Sequence, residues 1–381
     1  MSAPDLTGTT EVAMHRRDVL KLGAIATTTF ALGGVSRLGT GRAAAQSTGA
    51  PVVDRLVLTT VVDNIYDVFA KEGRLDTVTV QRTRLAGGAT LLAEHGLAYH
   101  LDSTRGGDRR EILLDFSLTD KNLSNNYAVL KVDPARADAL ILSHGHLDHY
   151  GALPDLVRTL QGRMKPGLTV YAGGEDTFCH RVVVTPTATV DQGSLDRAAL
   201  EAGGLKVVLA RRPEVVAGHA STTGQIERLT DFEKPPAAAR LAAGPMGSAC
   251  SPTHFGTVKV EAKPGDLVPD NFQGEHATVY HVKDRGLVVI TSCGHAGVIN
   301  SVRQAQKVTG VSRIHAVVGG FHLAPAPDAV VARTVAAFKE IDPDYILPMH
   351  CTGFNTIVAV HQAMPKKLVM PSTGTRVVFG A

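Results

Sequence analysis

Directly after a short apolar run, Ala139 to Leu142, the chain places three histidines and an aspartate within six residues, His144-Gly145-His146-Leu147-Asp148-His149. An apolar run bounded by polar residues reads as a buried strand. The four side chains then sit on the loop leaving its carboxyl end, where α/β sheets place their sites. Imidazole nitrogens and carboxylate oxygens are ligands of Zn²⁺, and a catalytic centre takes about three of them per ion while keeping a position for water. From an extended loop His144 and His146 point the same way, while Asp148 and His149 turn toward a second position. The run thus supplies two half-sites and needs further ligands from elsewhere.

The chain holds 16 histidines, and the natural donors are those that end later strands. His295 in Thr291-Ser292-Cys293-Gly294-His295 and His350 in Leu347-Pro348-Met349-His350-Cys351 both follow apolar runs. His276, which precedes a hairpin, competes with His295 for the first half-site. His322 follows Gly319-Gly320, a pair that lets backbone or substrate approach closely, and is a candidate ligand, acid or substrate donor. His95 is expected to be a packed structural residue. The expected cofactor is Zn, two ions per chain, with Fe or Mn as alternatives. Asp148 is expected to orient the attacking water, and His322 to contact the substrate or leaving group.

Residues 1–45 read as a leader to be set aside from the fold. His15-Arg16-Arg17-Asp18-Val19-Leu20-Lys21 precedes a mild apolar stretch, Leu22 to Val35, and Ala43-Ala44-Ala45 offers a cleavage site. The adjacent arginines resemble the twin-arginine signal of bacteria, which implies export to the periplasm or beyond, with that export machinery as a partner. The apolar stretch is short of the ~20 residues of a spanning helix, so no stable membrane anchor is expected after cleavage. An exported chain with four cysteines, Cys179, Cys250, Cys293 and Cys351, has the means to form disulfides. Thirty-nine Lys plus Arg against 36 Asp plus Glu, a net charge of +3, give no support to nucleic-acid binding.

Residues 46–381 form the expected folded domain. Trp is absent and aromatic residues reach only 5%, so the core is aliphatic. Strands are expected at 55–62, 89–101, 111–114, 139–142 and 168–171, with a helix after Gly151. The Ala-, Gly-, Pro- and Thr-rich stretch 173–264 reads as an insertion. Beyond it come a hairpin, 277–282 and 287–291, and then alternating helices (298–308, 329–341, from about 355) and strands (314–318, 345–347). Such alternation argues for sheets with helices packed outside.

The His-x-His-x-Asp-His run after a strand resembles the metallo-β-lactamase fold superfamily. Val62-Asp63-Asn64, Glu94-His95-Gly96-Leu97, Thr223-Gly224-Gln225-Ile226-Glu227-Arg228, Cys293-Gly294-His295, Gly319-Gly320-Phe321-His322-Leu323 and His350-Cys351-Thr352-Gly353 resemble, in order, its dihydropterin-ribofuranosylaminobenzene-phosphate synthase-like hydrolases. The resemblance implies an αββα sandwich, two mixed β-sheets flanked by helices, with the metals at the shared sheet edge. It implies one metal on His144, His146 and His295 and another on Asp148, His149 and His350. The same stretch resembles the place where many members carry a metal-bridging Asp, a register that would put Cys293 there and His276 on the first metal. The branch's Cys-x-His pattern favours His295. Asp115-Phe116-Ser117 stands where the branch has Asp-Thr-Gly, and Gly151-Ala152 where it has a Gly pair.

The expected activity is metal-dependent hydrolysis of a small anionic substrate, a phosphoester first, since helices starting after His295 and Gly353 would aim backbone N–H groups near the metals. Hydrolysis of a lactone or β-lactam is the alternative within the same chemistry. A non-catalytic metal- or partner-binding protein on this fold is the alternative from another class.

Overall fold

The fold is that of a computed structural model, which describes residues 49–85, 87–245, 248, 250–251 and 262–380. The leader at 1–45 lies outside the described residues, and among these no helix is long and apolar enough to cross a membrane. The first sheet runs Lys206–Leu209, Thr169–Ala172, Ala139–Leu142, Asp108–Leu114, Ala98–Arg105, Arg55–Val62, Thr375–Gly380, Val78–Arg82, Gly73–Leu75. The second runs Val215–Val216, Ala220–Thr222, Thr278–Val282, Gly286–Thr291, Ile314–Gly319, Tyr345–Pro348, with Val52–Val53 pairing in parallel beside Thr278–Val282.

Successive strand residues face opposite sides of a sheet, and here each side has its own core. Leu56, Leu58, Ile112, Leu114 and Ile141 meet Tyr280, Val288, Ile290 and Val318 between the sheets. Their neighbours Leu113, Leu140 and Leu142 pack outward against Leu123 and Leu156 of the helices Asp120–Leu130 and Leu153–Leu160. On the far side Leu287, Val289 and Val317 pack against Ile299, Val302 and Phe338 of Val298–Thr309 and Asp328–Ile341. The result is the expected αββα sandwich. Burial on both faces is why these strands are unbroken apolar runs in the sequence.

The structure departs from the sequence reading at two places. The strand expected from Ala89 begins only at Ala98. Upstream, Asn126 takes Leu92 N at 2.9 Å and donates to Val61 O and Leu92 O, both at 2.8 Å, so backbone groups there are satisfied without a ladder. The 173–264 stretch does not fold apart: Lys206–Leu209 extends the first sheet, and Val215–Val216 and Ala220–Thr222 extend the second. Three more of its strands, Thr189–Gly193, Arg181–Val184 and Ala239–Ala242, form a small antiparallel sheet with Leu267–Pro269. Arg181 is buried under that sheet with its Nε 2.8 Å from Asp270 Oδ2.

A disulfide joins Cys179 to Cys250, 71 residues apart, while Cys293 and Cys351 are buried free thiols. Closing a loop of this length restricts the unfolded chain by about 2–4 kcal/mol. The double substitution Cys179→Ala, Cys250→Ala is therefore expected to lower the thermal midpoint by several degrees. An unchanged midpoint in a calorimetric scan would contradict this.

Candidate metal centre

Asp108–Leu114, Ala139–Leu142 and Thr169–Ala172 run parallel, as do Gly286–Thr291, Ile314–Gly319 and Tyr345–Pro348. Their carboxyl ends gather at one edge of the sandwich, and the histidines ride on the loops that leave them. The first loop is shaped by Asp115, whose backbone takes the left-handed φ of 57° just past its strand. Its carboxylate accepts from Ser143 N and Ser143 Oγ, each at 2.8 Å, and from His149 Nδ1 at 2.8 Å. Ser143 Oγ in turn lies 2.9 Å from His144 Nδ1. One carboxylate thus fixes two rings by their Nδ1 sides and turns both Nε2 atoms inward. Gly145 between them is required, because a Cβ there would collide with the Thr177 carbonyl and the Arg181 guanidinium.

His295 arrives from the end of Gly286–Thr291. Its backbone N–H donates to Glu275 Oε1 at 2.9 Å, and that of Ala296 donates to the other oxygen of the same carboxylate. Arg228, from the Thr223–Arg228 motif, donates to His295 O at 3.1 Å. His350 follows Tyr345–Pro348 and is held by the Asp63-Asn64 pair: its N–H donates to Asp63 Oδ1 at 2.9 Å, and Asn64 Nδ2 donates to its carbonyl at 3.0 Å. Burial pushes Asp63 up to about 6, against its bonds to the Asn64 and His350 backbone.

All six predicted ligands come together, in two groups. The rings of His144, His146 and His295 lie 4.7–4.9 Å apart, centroid to centroid. His149 Nε2 is 3.2 Å from His350 Nε2, and Asp148 Oδ2 is 3.2 Å from His350 Nε2 and 3.6 Å from His149 Nε2. Cys293 belongs to both groups. Its sulfur lies within 4.8 Å of donor atoms of His144 and His295 on one side and of His149 and His350 on the other.

The residues left as alternatives by the sequence lie as follows. His276 turns its Nε2 to Leu142 O at 3.0 Å, and its Nδ1 is buried without a hydrogen-bond partner. Cys293 does not displace His295; the two are both present. His95 is not packed inside: it is exposed, stacks on His350 at 4.9 Å and brings Nε2 to 3.5 Å from Asp148 Oδ2. His322 sits 4.1 Å from the His295 ring, with Nδ1 3.6 Å from Cys293 Sγ. Gly320 allows this approach, since a Cβ there would meet Ser292 O and Cys351 Sγ at 2.6 and 2.7 Å.

The N–H groups expected to receive a substrate anion after His295 are already taken. Glu275 holds His295 and Ala296, and Glu233 accepts from Ile299 N at 2.8 Å and Asn300 N at 2.9 Å. Asp115, Glu275 and Glu233 are the contributors that the sequence did not assign. A carboxylate just past a strand, as Asp115 is, and one just before a hairpin, as Glu275 is, were the available signals.

Burial, and then the neighbouring imidazoles, hold His144 and His295 well below the ordinary range, and burial brings His146 down to about 4. Burial opposes ionisation of Asp148, but His149, His350 and His146 outweigh it and hold the carboxyl well below its ordinary range. His149 differs from these three rings: burial alone would depress it, yet Asp148 and Asp115 hold it up at about 9. Among the described residues, buried side-chain atoms with no hydrogen-bond partner include His144 Nε2 and both ring nitrogens of His295.

Residues 101–162 match the family model of the metallo-beta-lactamase superfamily. The chain also superposes on the crystal structure of Tm1679, a metal-dependent hydrolase of the beta-lactamase superfamily, with a TM-score of 0.61 and 20% identity, covering 84% of this chain and 98% of that one. The fold is that of the metallo-β-lactamase superfamily. In sequence the chain is similar to 7,8-dihydropterin-6-methyl-4-(β-D-ribofuranosyl)-aminobenzene-5′-phosphate synthase of Methanocaldococcus jannaschii, 28% identical over 269 residues, 69% of this chain and 82% of the relative.

These surroundings predict the proton order of the metal-free protein. At pH 7 His149 keeps its proton and His146 stays neutral. The raised His149 stabilises fully below its ordinary 6.5, a contribution lost as pH rises through about 9. The depressed His146 costs stability as pH falls from 6.5 to about 4, because the unfolded chain then binds more protons. Imidazole NMR titration after chelation checks both; His149 titrating below pH 7 would contradict the assignment.

Proposed function

We propose that this protein is a hydrolase with two Zn²⁺ ions, one on His144, His146 and His295 and one on Asp148, His149 and His350, with Cys293 between them. The observation that carries the reading is the set of buried ring nitrogens without partners, His144 Nε2 and both of His295, facing other imidazoles. A buried polar atom left unpaired costs about 1–3 kcal/mol, and a cation among these atoms removes that cost. Nitrogen, carboxylate and thiol donors together match Zn²⁺; the nitrogen and carboxylate donors also suit iron or manganese.

When bound, such ions polarise the group under attack and lower the pKa of water from 15.7 toward about 7. The chain's own residues do the rest. Asp148 stays ionised and orients the attacking water. Asp115 fixes the Nδ1–H tautomer of His149 and leaves Nε2 free to ligate. His322, next to His295, is placed to contact the substrate or leaving group. Phe272 stacks on His295 at 4.0 Å and excludes water from that side.

The name of the Methanocaldococcus relative, a synthase whose product bears a 5′-phosphate, supports the phosphoester class of substrate. The filled N–H groups beyond His295 remove one of its two structural supports, the helix start after Gly353 being the other. The lactone or other carbonyl class has an observation of its own, developed below. Work outside the cytoplasm, after export by the twin-arginine route, is supported by the Cys179–Cys250 disulfide, which belongs to an oxidising compartment.

Mass spectrometry of protein purified without chelator is expected to find two metal equivalents per chain. His144→Ala and His350→Ala should each remove about one, and Asp115→Ala should weaken metal affinity about 10–100-fold through lost ring orientation. No bound metal after reloading would leave a binding protein on a hydrolase fold.

A further inference from the structure

Beside the histidine cluster lies a cavity of ≈ 670 Å³, a size typical of small-molecule sites at roughly 300–1,000 Å³. His146, His295 and His322 form one end of it. The rest of the wall is mostly apolar, with Phe232 and Val183 from the stretch between the two halves of the fold and Leu323 and Val330 from the other side. We infer that this cavity holds the apolar part of an uncharged carboxylic ester or lactone whose carbonyl lies at the histidine end. The inference rests on the hydrolase reading and narrows its substrate.

The wall away from the histidines favours this over a substrate that is anionic throughout. The cavity is lined by two charged residues, Glu233 and Lys234. Glu233 is buried and commits its carboxylate to Ile299 N, Asn300 N and Thr230 Oγ1. Lys234 is exposed and sits at the rim. The nearby guanidinium of Arg228 is spent on the carbonyls of His295 and Asn271. Away from the histidine end and the ions proposed there, the lining offers a phosphate no buried cation, and the N–H groups at the helix start after His295 are held by carboxylates. An apolar acyl chain, in contrast, gains from every methylene it hides from water. In the reaction, water adds to the carbonyl, the acyl–oxygen bond breaks, and a carboxylic acid leaves with an alcohol; from a lactone the two leave as one hydroxy acid.

The test compares 4-nitrophenyl acetate, hexanoate and decanoate with bis(4-nitrophenyl) phosphate on the metal-loaded protein. We expect kcat/KM to rise about two- to fourfold per added methylene until the cavity is full, with the phosphodiester the poorest substrate. Ala238→Trp, which fills the cavity from one wall, and Val330→Trp, from the other, should each lower the decanoate-to-acetate ratio at least tenfold with both metals still bound. A flat chain-length series, or faster cleavage of the phosphodiester, overturns the inference and leaves the hydrolase reading standing. Absence of turnover on every ester and on the phosphodiester fails the hydrolase reading instead, and calorimetry with 1-octanol on the metal-loaded protein then decides the cavity. Saturable binding lost in the Trp variants supports an apolar ligand; no binding overturns it.

Discussion

The carboxylate of Asp115 is the interaction on which the histidine-bearing edge depends. It is fully buried and sits in a left-handed backbone conformation that a non-glycine residue adopts only when its surroundings enforce it. What enforces it is the bond from its N–H to Ile141 O and the three bonds its oxygens accept from Ser143 and His149. Through Ser143 Oγ it also reaches His144. Two rings that belong to different half-sites thus share one anchor, and neither can turn without leaving a buried carboxylate short of a partner. The cost of such a loss, about 1–3 kcal/mol or more for a charged group, makes the geometry of the loop a property of the core.

The same device recurs around the site. Glu275 orders the His295 turn, Glu233 the start of the following helix, and Glu94 the start of Asp120–Leu130, where it accepts from Thr119 N at 2.9 Å and Thr119 Oγ1 at 2.7 Å. Glu233 satisfies N–H groups that a helix end cannot pair internally, and Glu94 and Glu275 hold the turns that lead into helices. The protein supplies the anions that its own helix ends attract. The positive ends of these elements are therefore spent on rigidity, and the open space beside the cluster is left to apolar walls.

What was legible in the sequence follows from this construction. The strands carrying ligands are buried on both faces, so they stand out as apolar runs, and the residues just past them are the ones that reach the shared edge. That logic singled out His144 to His149, His295 and His350, which the fold brings to one edge. It passed over residues that act through other residues, because the place of Asp115 past a strand and of Glu275 before a hairpin points to a loop but not to the rings each one holds. It also failed between 89 and 97, where side chains of Asn126 and neighbours replace a ladder that the apolar composition suggested. The 173–264 stretch was unreadable for a related reason: its short strands find their partners in three different sheets, so no period builds up along the chain.

The four cysteines sharpen the proposed reading. Cys179 and Cys250 are joined beneath the small sheet, so the chain as a whole tolerates oxidation. Cys293 and Cys351 lie only 3.1 Å apart, sulfur to sulfur, yet remain thiols among the histidines. A disulfide between them would withdraw the Cys293 sulfur from the point that both ligand groups share. Under the proposed reading, a bound cation would keep that sulfur occupied and the pair apart in chemistry, if not in space. On the same proposal, a metal acquired before the chain met an oxidising compartment would protect these two while the other pair closed, and export of an already folded chain would secure that order.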